Sequence, residues 1–216
     1  MTKGVIYYSD CRPDPRILKV CQDNIRSAFD GEIVSCTLKP SEFGDKRIVL
    51  DLERSYLTMF KQILAALEAS TADIIFHCEN DNMYPKEHFD FTPPERKFYY
   101  NNHWWKLHPD GLAVSWEADQ VSGLCGYRDM LIEWYKNRVE TYDENNFDRK
   151  FEPMSGEGAG NWKTKIPYLD IRGKWNLTYN KRKLDDFRKK DTAVNFREST
   201  IDNVPGWDNL RGVLHY

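Results

Sequence analysis

Glu79 and Asp81, with Asn80 between them, close the run Ala72-Asp73-Ile74-Ile75-Phe76-His77-Cys78, which is otherwise nearly all apolar. Carboxylates at the end of a buried strand are costly unless their charge is compensated. A divalent cation, Mn2+ or Mg2+, compensates it and can also neutralise a departing diphosphate. If the extended backbone persists, Glu79 and Asp81 share one side and Asn80 faces away. Asp81 is then the expected direct metal ligand, and Glu79 a metal, outer-shell or ribose contact. The bland alternative is an acidic turn without chemistry. A second polar strand end, Ser9-Asp10, follows Val5-Ile6-Tyr7-Tyr8. If the group leaving that diphosphate passed to a hydroxyl with inversion, a carboxylate would have to take the hydroxyl's proton; a retaining reaction would relax that need. Asp119 and Glu117, between an expected strand and a helix entry, are the first candidates for that base, and Asp170 is the third.

The elements needed to position these groups are legible in the first half. Residues 5–8 read as a strand. Residues 9–15 read as a loop, with Asp14 capping a helix that has Pro15 in its first turn. Ile17, Leu18, Cys21, Ile25, Ala28 and Phe29 give that helix an apolar stripe. Residues 32–38 form a second strand, 52–69 a long amphipathic helix and 72–78 a third strand. This β-α-β-α-β rhythm predicts an α/β fold, a single Rossmann-like domain with a mostly parallel sheet covered by helices. Ligands of such sheets bind beyond the carboxyl ends of the strands, where both acidic segments fall. Residues 98–107 read as an aromatic strand and 113–117 as another. Ser122-Gly123-Leu124-Cys125-Gly126 leads into a helix over 127–139, and 141–165 reads as a polar loop or lid. The expected organisation is an α/β core over 1–140, with 141–216 as a loop and basic extension of the same domain.

Composition narrows the function classes. The 216 residues are 40% hydrophobic and 30% charged, an ordinary globular balance. No run approaches the roughly 20 apolar residues that cross a bilayer, so no membrane association is expected. The five cysteines are scattered without CxxC spacing, which suits a reducing cytoplasm and not a disulfide or zinc framework. Net charge is −3, yet residues 161–190 hold ten Lys or Arg against three Asp. A basic segment in an acidic chain points to a polyanion such as a phosphate backbone, or to a solvated lysine-rich face. No GxxxxGK[ST] sequence is present, which argues against a P-loop nucleotidase.

The stretches VIYYSDCRPDP, IVLDLERSYLTMFKQILAALE, DIIFHCENDNMYPKEHFDF and VSGLCGYRDML together resemble nucleotide-sugar glycosyltransferases of the GT-A fold, in a phage and bacterial subgroup. They cover roughly residues 4–135; IPYLDIRGKWNLT and VPGWDN extend the likeness more weakly. The resemblance implies a UDP-sugar donor and a manganese or magnesium ion at the acidic motif, here in the variant ENDNMYP. It implies donor contacts at Tyr8, Ser9, Asp10, Glu79 and Asn80, with Arg12 near phosphate and Arg54 approaching from the start of the long helix. Arg54 could equally form an ordinary surface pair with Glu53 or a neighbour. Many such enzymes complete the metal shell with a C-terminal histidine; Gly173 stands where one would be convenient, and His215 is a possible substitute.

For the acceptor, Trp104 and Trp105 follow each other in a strand, so one should be core and the other could face the cleft. Trp162 and Trp175 are interleaved with Lys163, Lys165, Arg172 and Lys174, as on a nucleic-acid surface. With the phage-like resemblance, these favour double-stranded DNA carrying 5-hydroxymethylcytosine as acceptor, reached by groove access or base flipping. A surface polysaccharide or lipid-linked glycan is the enzymatic alternative; a metal-dependent nuclease or a nucleic-acid-binding module are the others. A monomer or weak homodimer is expected.

Overall fold

The structure, a computed structural model, describes residues 1–143, 152–153, 158–173 and 194–214. The parallel core forms as the sequence predicts, with one unpredicted edge strand, Lys46–Val49, added to it. Strands β1 (Lys3–Ser9), β2 (Glu32–Thr37), β3 (Lys46–Val49) and β4 (Ile74–Glu79) lie in the order β3-β2-β1-β4, all parallel. Helices α1 (Pro15–Ala28) and α2 (Tyr56–Ala69) lie between them in sequence. Residues 5–8 of β1 are apolar without alternation because both faces of the strand are buried. Ile6 and Tyr8 point to the layer of α2, while Val5 and Tyr7 point to the opposite layer. Asp14 caps α1 by accepting from the Arg16 amide (2.9 Å), with Pro15 in the first turn. Helix α2 starts later than residue 52, because Ser55 Oγ accepts from the Thr58 amide (3.0 Å) and caps it there.

The second half departs from expectation in three places. Residues 98–107 are not one strand. Asn101 Oδ1 accepts from the His103 amide (2.9 Å) and turns the chain, splitting it into β6 (Tyr99–Asn101) and β7 (Trp104–Leu107) in different sheets. The glycine-rich entry to the third helix holds a strand, β9 (Leu124–Tyr127), antiparallel between β4 and β6. Its Gly126 leaves room for Phe98, which a Cβ would meet at 3.1 Å, so glycine there marks close packing and not a loop. Helix α3 (Arg128–Glu140) follows directly. Part of the expected lid is also strand: β10 (Gly160–Trp162) adds to β6 in parallel and completes a seven-stranded sheet.

A second sheet, absent from the sequence expectation, has the order β12-β8-β7-β11-β5. It is built from β5 (Asn82–Met83), β7, β8 (Leu112–Ser115), β11 (Tyr168–Ile171) and β12 (Arg197–Thr200). Strands from both sides of residue 140 thus share both sheets. Helices α2 and α3 cover one face of the main sheet through Phe60, Ile63, Leu67, Leu131 and Tyr135. The opposite face packs on the second sheet through Phe76, Tyr84, Trp104 and Tyr168. The far face of the second sheet is closed by α1 and the short α4 (Leu210–Leu214).

Beneath α2, Glu32 ties the start of β2 to the end of the helix. It pairs with Lys46 (2.7 Å) and accepts from Ser70 Oγ (2.6 Å) and the Thr71 amide (2.9 Å). Partial burial pushes its carboxyl up, but Lys46, Ser70 and Thr71 outweigh this and hold it down at about 2. A depressed carboxylate stabilises the fold fully above its unfolded value near 4.5 and loses that contribution as pH falls through about 2. Replacing Glu32 by Gln is therefore expected to flatten the acid arm of the stability curve in that window, by at most about 1.4 kcal/mol per pH unit. Chemical denaturation between pH 2 and 5 reads this, and an unchanged slope counts against it.

Candidate functional site

Adjacent parallel strands end on the same side of the sheet, and β1 and β4 pair so that Tyr8 lies opposite Glu79. The two acidic segments of the sequence therefore meet at one cleft, as the alternating pattern requires. The cleft has a volume of about 290 Å3, at the small end of ligand sites. Its lining includes Tyr8, Ser9, Asp10 and Arg54 on one side, Glu79, Asn80 and Asp81 at the strand end, and Lys106, Asp170 and Arg172 from the second sheet. Buried Gln62 fixes the floor by donating to the Ser9 and Cys36 carbonyls (2.8 and 2.9 Å), which ties α2 to the tips of β1 and β2.

The acidic strand end does not stay extended. After Glu79 the chain turns, and Asn82 begins β5 against β11. Asn80 consequently does not face away: its Nδ2 donates to Ser9 Oγ (2.8 Å) and locks the β1 and β4 tips together. Glu79 Oε1 accepts from the Tyr8 hydroxyl (2.7 Å). Burial pushes the Glu79 carboxyl well above the usual carboxylate range; the Tyr8 bond opposes this and the Asp170 charge adds to it. Asp81 is buried at 8% exposure, and its carbonyl accepts from the Ile171 amide (2.8 Å). Arg54 pairs with Asp10 across the cleft and not with Glu53.

The remaining expected residues divide. Asp170 lines the cleft, but Lys106 (3.3 Å) and Arg172 (3.2 Å) both bind its carboxylate. Burial pushes its pKa up, yet those two cations outweigh burial and hold it low, which makes Asp170 a weak base. Glu117 and Asp119 lie outside the lining. Glu117 is taken by Lys163, and Asn161, with its amide set to satisfy its neighbours, donates to Asp119 (3.0 Å). Arg12 is exposed and does not line the cleft, though its amide donates to Asp10 Oδ1 (3.1 Å). Trp104 and Trp105 are both core, at 0 and 4% exposure, because β7 is an inner strand of a sheet covered on both faces. Trp162 stacks on Phe91 (4.3 Å), and Lys163 and Lys165 are exposed. None of these three lines the cleft. Lys174, Trp175 and His215 lie outside the described residues, and Gly173 is buried.

Lys106 and Glu152 line the cleft without having been singled out in the sequence. Lys106 could have been found as the one charge in an aromatic strand. Glu152, in the polar 141–165 stretch, carries no local signal. Its charge acts on the Tyr100 and Tyr135 phenols, which places it by that wall.

Among the described residues, no group of three or more His, Cys, Asp and Glu is arranged to hold a metal ion. Mg2+ and similar ions, however, commonly take one or two carboxylates and complete their shell with substrate phosphates and water. Glu79, half-buried with its carboxyl pushed up, and Asp81 two residues on, both lining the cleft, fit that shared arrangement. Among the described residues no helix is long and apolar enough to cross a membrane.

No protein-family model and no curated protein matches the chain. Among solved structures it is similar to HddC from Yersinia pseudotuberculosis, at 11% identity and a TM-score of 0.47, covering 79% of this chain and 93% of that one. It is also similar to a glycosyltransferase involved in glycosylation of the major capsid of PBCV-1, at 8% identity and TM-score 0.49, with the same coverage of each chain. A third likeness is to the apo-form glycosyltransferase GlyE of Streptococcus pneumoniae TIGR4, at 12% identity and TM-score 0.41, over 68% of this chain and 41% of that one. At these values the likenesses carry no functional argument. The chemistry rests on the residues of the cleft.

Proposed function

We propose that the protein is a nucleotide-sugar-dependent glycosyltransferase. The observation that carries this reading is the meeting, at the carboxyl ends of β1 and β4, of an acidic strand end with a facing set of cations, Arg54, Lys106 and Arg172, in one cleft. Tyr8, Ser9 and Asp10 border the nucleoside, with Arg54 holding Asp10 in place. Asp81 and Glu79 would hold a divalent cation, which supplies charge neutralisation for the departing diphosphate. The acceptor hydroxyl attacks the anomeric carbon as the bond to the diphosphate breaks, and its proton passes to a carboxylate on the cleft wall. We assign that base to Glu152, since Glu117 and Asp119 lie outside the cleft lining and Asp170 is held between two cations.

For the acceptor we propose 5-hydroxymethylcytosine in double-stranded DNA. Exposed Lys163, Lys165 and Arg197 supply cations of the kind a phosphate backbone meets. The test is mass spectrometry of hydroxymethylcytosine-containing DNA incubated with the protein, Mn2+ and a panel of UDP-sugars. The expected result is a hexose or pentose increment on the DNA. Release of UDP without an increment keeps the transferase and discards the DNA acceptor, leaving a glycan acceptor as the next reading. Cleaved DNA with no nucleotide released would instead establish a nuclease.

A further inference from the structure

Lys106 on β7 and Asp170 on β11 are register neighbours in a parallel pair, so their side chains leave the same face side by side. Arg172 lies two residues beyond Asp170, toward that same face. The three side chains are largely buried, at 18, 7 and 11% exposure for Lys106, Asp170 and Arg172, and all line the cleft. One carboxylate thus stands between two cations.

Lys106 is also held in a way that leaves its charge intact. Its ammonium lies over the rings of Trp104 (5.3 Å) and Trp116 (4.9 Å), which attract a cation without cancelling it. Arg172 feels the charges of Asp81 and Glu79, so the pair stands beside the acidic strand end. Stability alone gives little reason to keep this arrangement, because a buried ion cluster can often be replaced by apolar side chains without loss.

We infer that Lys106 and Arg172, spaced by Asp170, form the seat of the donor's diphosphate. The inference rests on the nucleotide-sugar reading of the cleft. The planar guanidinium offers paired donors to phosphate oxygens, and the ammonium adds a point charge. Asp170 orients both cations and takes no proton. The sequence pattern had placed Arg172 with the acceptor; its position by Asp81 moves it to the leaving group.

The test separates phosphate recognition from general weakening of the fold. Uridine, UDP and inorganic pyrophosphate are titrated into the full chain with Mg2+, with GDP, CDP and ADP and their nucleosides run in parallel. For the nucleotide that binds best, Lys106→Met is expected to weaken the diphosphate about 10- to 100-fold and its nucleoside by less than about twofold, as for loss of one charge-assisted contact. Pyrophosphate should compete with the nucleotide on the unaltered protein and much less on the variant. Lys106→Arg should restore most of the loss. Should Lys106→Met not fold, the pair Asp170→Asn with Arg172→Gln, which removes opposite charges together, is read in the same way. Equal weakening of nucleoside and diphosphate, or no weakening of either, overturns the inference while the nucleotide-sugar reading stands. If no nucleoside diphosphate binds the unaltered protein, that reading fails and the inference falls with it.

Discussion

Replacing Asp81 by Ala is expected to abolish release of the nucleoside diphosphate from a nucleotide sugar, lowering turnover by about 100- to 10,000-fold, the size of a lost metal or charge contact at a leaving group. The fold should survive. Asp81 joins the second sheet through its carbonyl, which accepts from the Ile171 amide, and alanine keeps that bond. The thermal midpoint should therefore move little, by the loss of the Asp81 charge that acts on Arg172. Asp81→Asn separates charge from shape: if the charge matters, Asn should be nearly as inactive as Ala. The measurement is nucleotide release across a panel of sugar donors with Mn2+ and Mg2+. Turnover of the Ala variant within about threefold of the unaltered protein, a difference below 1 kcal/mol in barrier, would remove Asp81 from the site.

Trp104→Ala should cost about 3–5 kcal/mol of stability, the range for deleting a large buried aromatic. Trp104 is fully buried, packs edge-on against Trp116 at 4.4 Å and donates from its indole nitrogen to the Ala118 carbonyl (3.1 Å). The substitution removes the packing and leaves that carbonyl without its indole donor. It also removes one of the two ring faces under Lys106, so nucleoside diphosphate affinity should fall in whatever fraction stays folded. Urea unfolding reads the first effect and titration the second. A midpoint loss worth less than about 1 kcal/mol would mean that Trp104 is not the core residue its burial indicates.

The cleft's polar parts differ in how they could be found. Ser9-Asp10 and Glu79-Asn80-Asp81 are legible because each ends an apolar run, and alternation of strands and helices places such ends together. Asn80 lines the cleft as expected but does not face away from it, because extended alternation stops at the strand end, where the chain turns to reach β5. Glu117 and Asp119 looked suitable from their neighbourhood in sequence, yet their side chains meet Lys163 and Asn161 instead of the cleft. Lys106 and Arg172 converge only through pairing of β7 with β11, more than sixty residues apart.

The sequence by itself determined the parallel core β1-α1-β2-α2-β4, the cap of α1 and the two acidic strand ends. Those features depend on side-chain periodicity and capping among near neighbours, which the chain carries locally. Only the tertiary structure decided that 98–107 divides between two sheets, that Gly126 lies in a central strand, and that both Trp104 and Trp105 are core. It also decided which carboxylates face the cleft and which cations answer them. These outcomes depend on what packs against each face and on pairings between distant strands, and no local pattern records either.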